Sequence, residues 1–174
     1  MEARSPPSLK RYLCELTCTA LAVIFLLYVS PSFAQRATEG PFASLPGSWS
    51  GDGTIIMSSG EKERIRCQAE YRLESRTNVQ LQLTCASDSY RFELQSNTVA
   101  VDQTLAGTWS ELTRRVAGQV VGRVVGNRIE IRAEGQTFTA LLDMKTDGNR
   151  QSVSIRSPGS EMSEVGISLT RRSR

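Results

Sequence analysis

Apolar and polar residues alternate along several short segments of the chain. In residues 64–74 the apolar positions are Ile65, Cys67, Ala69, Tyr71 and Leu73, and in residues 79–85 they are Val79, Leu81, Leu83 and Cys85. A period of two places successive side chains on opposite faces of an extended segment. Both segments are therefore predicted to be β-strands with one buried face.

The two segments fit together as an antiparallel hairpin around residues 75–77. In this register the facing pairs are Leu73–Val79, Tyr71–Leu81, Ala69–Leu83 and Cys67–Cys85. Directly opposed Cβ atoms lie about 4.5 to 5.5 Å apart, within reach of a disulfide. We predict a structural Cys67–Cys85 disulfide, with two buried free thiols as the alternative.

The same test predicts further hairpins. A turn at 87–88 pairs Cys85 with Tyr90, Leu83 with Phe92 and Leu81 with Leu94; a turn at 126–127 pairs Val124 with Ile129 and Gly122 with Ile131; a turn at 135–136 pairs Ala133 with Phe138, Ile131 with Ala140 and Ile129 with Leu142; and a turn at 147–148 pairs Leu142 with Val153 and Ala140 with Ile155. Further strands are predicted at 48–57, 105–113, 117–125 and around 165–169. Glycines at 118, 122 and 126 indicate sharp coiling or bulges.

About ten sequential strands and no helical periodicity after residue 40 define an all-β fold class. An antiparallel up-and-down β-barrel of about 8–10 strands is favoured, since closure removes exposed sheet edges. A curled sandwich is the alternative. A barrel of about eight strands is just wide enough to be filled by side chains or to hold one small ligand.

The first 34 residues are typical of a secretory signal peptide. Basic residues come first, an apolar run follows at 16–29, and small residues stand at Ser32 and Ala34. The run is shorter than the roughly 20 residues that span a bilayer core, so an uncleaved anchor is the alternative. Cleavage after Ala34 leaves a flexible lead-in at 35–46 and a single barrel domain at 47–174, exported to the periplasm or the medium.

Composition removes several classes of chemistry. The chain contains no histidine and carries a net charge of only +3, which argues against histidine catalysis and nucleic-acid binding. Neither a phosphate loop nor a metal-ligand spacing occurs. Five carboxylates on the predicted strands fall on outward faces: Glu70, Glu74, Glu93, Glu130 and Asp143. We therefore expect a monomeric, non-enzymatic protein without cofactor or metal.

Two families share short features with this chain. Gly47-Ser48-Trp49 opens the first strand and Arg171-Arg172 closes the last, which resembles the calycin superfamily of lipocalins, avidins and fatty-acid-binding proteins. That resemblance implies that Trp49 plugs the closed end of the barrel and that Arg171 or Arg172 covers it. The Gly-x-Trp start, the predicted disulfide and the lead-in also resemble small periplasmic inhibitors of secreted metalloproteases, whose N-terminal segment enters the protease cleft.

Two functions follow as hypotheses. One is a barrel that holds a small apolar ligand, and the other is an inhibitor or envelope protein that binds a partner through its N-terminal segment and loops. Candidate residues for lining the ligand site or packing the core are Trp49, Tyr71, Tyr90, Phe92 and Trp109. A cavity of roughly 300 Å³ or more would favour a ligand, whereas a filled core with a protruding N-terminus would favour a partner protein.

Overall fold

Ten β-strands follow one another in residues 40–173, the part of the chain that this computed structural model describes. The strands are β1 (Gly47–Met57), β2 (Lys62–Ser75), β3 (Asn78–Ala86), β4 (Arg91–Val101), β5 (Thr104–Glu111), β6 (Val116–Val125), β7 (Arg128–Glu134), β8 (Thr139–Asp147), β9 (Arg150–Arg156) and β10 (Met162–Arg171). The predicted signal peptide and residues 35–39 lie outside the described residues.

The strands form one closed sheet. Each strand pairs antiparallel with the next, and β1 pairs with β10 to complete the circle. This confirms the predicted all-β class and the up-and-down barrel, and excludes the curled sandwich. Every strand sends alternate side chains inward, so one continuous apolar face becomes the interior.

The hairpin of β2 and β3 has the predicted register, and its disulfide is present. Cys67 is paired with Cys85, and their Cα atoms are 4.1 Å apart. Such a short separation is typical of pairs that do not exchange backbone hydrogen bonds, where side chains come closest. Both cysteines are fully buried in the core. The β6–β7 register, with Val124 opposite Ile129, is also as predicted.

Three other predicted registers are wrong by two residues. Cys85 faces Phe92 instead of Tyr90, Ala133 faces Ala140 instead of Phe138, and Leu142 faces Ile155 instead of Val153. At 87–90 and 135–138 the chain forms four-residue loops where two-residue turns were predicted. The third turn lies one residue later, at 148–149. A two-residue shift keeps the same side chains inward, so the fold is unchanged.

Connection lengths distinguish the two ends of the barrel. Four two-residue turns, at 76–77, 102–103, 126–127 and 148–149, lie at one end. Longer loops lie at the other end, at 58–61, 87–90, 112–115, 135–138 and 157–161. We call the end with the two-residue turns the closed end and the end with the longer loops the open end. Only the open end has enough loop length to surround an entrance.

Glycines 118 and 122 allow close contact between neighbouring strands of the barrel wall. A Cβ atom at Gly118 would lie 1.8 Å from the carbonyl oxygen of Glu134, and one at Gly122 would lie 2.2 Å from that of Glu130. Pairing between β5 and β6 is regular through both positions. The alternative of a bulge is therefore wrong for both glycines. Gly126 lies in the two-residue turn between β6 and β7, where its φ is positive.

Residues 40–46 form a cap on the closed end. Phe42 and Leu45 are buried in the core beside Trp49, and backbone hydrogen bonds from Ala43 to Gly40 and from Leu45 to Phe42 hold a turn. The prediction of a flexible lead-in is therefore wrong for these residues. Two apolar side chains pack into the barrel end and give this segment a fixed position.

Candidate functional site

Trp49 seals the closed end. Its indole nitrogen donates a hydrogen bond to the carbonyl oxygen of Leu45 at 2.8 Å, and its ring is nearly perpendicular to that of Tyr71, with the ring centroids 6.5 Å apart. The guanidinium carbon of Arg171 lies 4.2 Å from the Trp49 ring centroid, which is the geometry of a cation–π contact.

Arg171, of the two candidate arginines, is the residue that covers Trp49. Its guanidinium also donates hydrogen bonds to the carbonyl oxygens of Pro46 and Ser44, which ties the last strand to the cap. The side chain of Arg172 is exposed, and its backbone N–H donates to Ser48. Together these contacts close this end of the interior.

The interior contains a cavity of about 350 Å³ that opens between the loops of the open end. Its wall is almost entirely apolar and includes Leu81, Phe92, Leu94, Trp109, Val120, Ile131, Ala133, Phe138, Ala140, Leu142, Ile155 and Val165. The volume falls within the range of small-molecule sites. Every strand from β3 to β10 contributes to this wall, so the barrel itself positions it.

A smaller recess of about 140 Å³ adjoins the cavity toward the closed end. Phe42, Leu45 and Tyr71 line it, together with side chains that also line the cavity, among them Phe92 and Thr98. The cap of residues 40–46 therefore forms the floor of the interior. An elongated molecule that enters at the open end would point toward this floor.

The predicted aromatic residues occupy different positions along the barrel. Phe92 and Trp109 line the cavity, and Tyr71 lines the recess. Trp49 plugs the closed end without lining either space. Tyr90 is in the loop 87–90, partly buried against the core, where its backbone N–H bonds the Ser87 hydroxyl.

Trp109 is fixed as part of the cavity wall. Its indole nitrogen donates to the carbonyl oxygen of Glu134 at 3.3 Å, and its ring lies 5.6 Å from that of Phe138. A Cβ atom at Gly118 would lie 2.8 Å from this nitrogen, so the glycine leaves space for the indole. The two Gly-x-Trp motifs thus have different roles. Trp49 closes one end of the barrel, and Trp109 lines the cavity that opens at the other end.

Glu111 is a buried carboxylate at the rim that the sequence pattern did not single out. It accepts hydrogen bonds from the Thr113 hydroxyl and from the backbone N–H groups of Glu93, Thr113 and Arg114. Burial raises the pKa of Glu111, but these hydrogen bonds outweigh burial, so its pKa lies below the ordinary value. Glu111 is therefore an ionised hydrogen-bond acceptor that holds the loop 112–115 in place.

Replacing this carboxylate tests its structural role. We expect Glu111→Gln to lower the free energy of unfolding at neutral pH by about 2 kcal/mol, because hydrogen bonds to a charged acceptor are lost. A lowered folded pKa contributes stability above the ordinary value of 4.5 that is lost as pH falls through the folded pKa. The difference between wild type and variant should thus shrink on acidification. Urea unfolding at several pH values measures this difference, with Glu74→Gln, a change at an exposed carboxylate, as the control. Equal stability of the two variants at neutral pH would contradict the structural role of Glu111.

Two other grooves lie on the outer wall, with volumes of about 450 and 440 Å³. The first is crossed by ion pairs, including Arg123 with Glu130 and Arg128 with Asp143. The second is lined largely by uncharged polar residues of β3–β6. Both are open along the outside of the sheet, whereas the interior cavity is surrounded by the barrel wall.

Comparison with known proteins defines the fold. Among solved structures, the chain is similar to Rv2717c from M. tuberculosis, with 13% sequence identity, a TM-score of 0.63 and a match over 76% of this chain and 95% of that one. It is also similar to the S-type phycobiliprotein lyase CPES from Guillardia theta, with 7% identity, a TM-score of 0.54 and coverage of 76% and 91%. No protein-family model matches the sequence, and neither does any curated protein.

Identities this low establish the fold alone. Fold and interior together define the class: a closed, ten-stranded antiparallel barrel with one sealed end and an apolar cavity at the other. The calycin resemblance predicted from Gly47-Ser48-Trp49 and Arg171 holds at this level of the fold. Within residues 40–173 no helix is long and apolar enough to cross a membrane.

Proposed function

We propose that this protein is an exported, non-enzymatic barrel that binds a small, mostly apolar molecule in its interior. The observation that carries this proposal is the cavity of about 350 Å³, walled by apolar side chains and open at one end. Burial of apolar ligand surface is worth about 25 cal/mol per Å², and a preformed cavity avoids the free-energy cost of opening one.

Export is supported by the disulfide and by the sequence of the N-terminus. Disulfides persist mainly in oxidising compartments, and Cys67–Cys85 joins two adjacent strands of the core. The order of basic, apolar and small residues in 1–34 agrees with such a destination.

A role without catalysis is supported by the ionised state of Glu111 at the rim of the cavity. Glu111 is held ionised by four donated hydrogen bonds, and a carboxylate with a lowered pKa is a weak general base near neutral pH. Residues 40–46 pack against the barrel, so this part of the N-terminal segment is not free to enter a protease cleft. The ligand hypothesis is therefore favoured over the inhibitor hypothesis.

Titration with phenylnaphthylamine, an uncharged dye that fluoresces strongly in apolar surroundings, tests the proposal. We expect purified residues 35–174 to enhance its fluorescence with saturation near one dye per chain. The same titration after unfolding in guanidinium is the control. Fluorescence that stays at the level of free dye at high protein concentration would contradict the proposal.

Contact quenching locates the bound molecule. We expect bromooctane to quench Trp109 in the Trp49→Phe variant, because Trp109 lines the cavity. In Trp109→Phe the remaining Trp49 is 1% exposed at the closed end and should be quenched far less. Equal quenching of the two tryptophans in a fluorescence titration would contradict binding in the cavity.

A further inference from the structure

Two hydroxyl groups interrupt the apolar interior at one place on β4. Ser96 and Thr98 are two residues apart on the same strand, so both side chains point to the same face. Both line the cavity and the adjoining recess. They therefore stand where the two spaces meet, about midway along the interior.

The surroundings of this pair are apolar. Ser96 is flanked across the sheet by Leu81 and Trp109. Thr98 is 5% exposed and is flanked by Val79 and Gly107. In the described part of the chain, neither hydroxyl has a hydrogen-bond partner. Both residues line the open cavity and the recess, so each hydroxyl can offer a hydrogen bond to a molecule bound there.

We propose that Ser96 and Thr98 bind an uncharged oxygen of the ligand, such as a ketone, ester or alcohol oxygen on an apolar frame. An ion is disfavoured here, since two neutral hydroxyls cannot replace the hydration of a full charge. The charged groups of the cavity lining, Glu111, Arg114 and Glu161, belong to the loops and strand end of the open end. This inference rests on the proposed function and specifies its ligand: a neutral, oxygenated hydrocarbon.

A pair of matched probes tests the inference. Acetylnaphthalene and isopropylnaphthalene are similar in size, and the carbonyl oxygen of the first is replaced by a methyl group and a hydrogen in the second. Affinities of both are measured by displacement of phenylnaphthylamine from wild type and from the double variant Ser96→Ala, Thr98→Val. The control is Ser110→Ala, Thr108→Val, which makes the same changes on the outer face of the adjacent strand.

The expected result is a change in the ratio of the two affinities. Loss of the hydroxyls should reduce the preference for acetylnaphthalene over isopropylnaphthalene by about three- to tenfold, the value of a net hydrogen bond. The control should keep the wild-type ratio. Retained binding of isopropylnaphthalene verifies that the variant cavity is folded, and the single variant Thr98→Val replaces the double variant if the latter does not fold.

Two opposing outcomes separate the inference from the proposed function. A variant that binds isopropylnaphthalene with the wild-type ratio of affinities overturns the role of Ser96 and Thr98 and leaves the apolar cavity intact. A wild-type protein that binds neither probe nor the dye overturns the proposed function, and the inference with it.

Discussion

Ala140→Phe is expected to reduce phenylnaphthylamine affinity by at least about tenfold, since a ring placed in the cavity competes with the ligand for the same space. Ala140 is buried on the inner face of β8, opposite Ala133, in the wall shared with Trp109 and Phe138. The added ring enters space that is empty in the free protein, so the barrel should remain folded.

The control places the same substitution on the other face of the wall. Ala106 is exposed on the outside of β5, and Ala106→Phe should leave dye affinity unchanged. Thermal unfolding of both variants checks that each is folded. A second variant with a smaller added side chain, Ala140→Leu, is measured in the same way. If both Ala140 variants are folded and keep the wild-type dye affinity, the dye binds elsewhere and the cavity is not the site.

Removal of the Cys67–Cys85 disulfide is expected to lower the free energy of unfolding by about 3 kcal/mol, the value of a closed loop of this length in the loop-entropy model. The two residues are 18 positions apart in sequence. For a domain of this size that loss corresponds to a decrease in melting temperature of about 10 °C. Calorimetry of oxidised and reduced residues 35–174 measures it.

The variant Cys67→Ala, Cys85→Ala provides the matched control for reductant effects. Its melting temperature should lie near or below that of the reduced wild type, because two buried sulfurs are also lost from the core, and added reductant should leave it unchanged. A wild-type melting temperature that does not respond to complete reduction would show that the crosslink adds nothing to stability.

The inward and outward faces of the barrel could be predicted from the sequence, whereas several strand partners could not. Alternation decides which side chains face inward, and a slip of one residue would turn all of them outward. A slip of two residues costs nothing in this pattern. Cys85 therefore has an apolar neighbour whether it faces Tyr90 or Phe92, and the four-residue loop at 87–90 decides between them.

The candidate site was only partly visible in the sequence. Aromatic residues could be placed inside, but their depth depends on the barrel geometry, which separates Trp49 from Trp109. Ser96 and Thr98 could not be predicted as cavity residues, because hydroxyl side chains do not mark the inward face of a strand in an alternation of apolar and polar positions. Glu111 was missed because its partners come from its own loop and from β4.

The cap at residues 40–46 was missed for a related reason. Its composition of glycine, proline, serine and alanine is typical of a loop, and only Phe42 and Leu45 mark it as something that packs. Their burial depends on an unoccupied space at the end of the barrel, which is a property of the closed sheet. The two apolar residues can be read from the sequence, but the space in which they are buried exists only in the folded barrel.

Crystallography of the protein with bromooctane tests the central claim most directly, because anomalous scattering locates the bromine without assumptions about the ligand. We predict bromine within the apolar cavity, between the walls that contain Phe92 and Trp109. Bromine found only on the outer wall, or an interior without bromine at saturating concentration, would contradict the account.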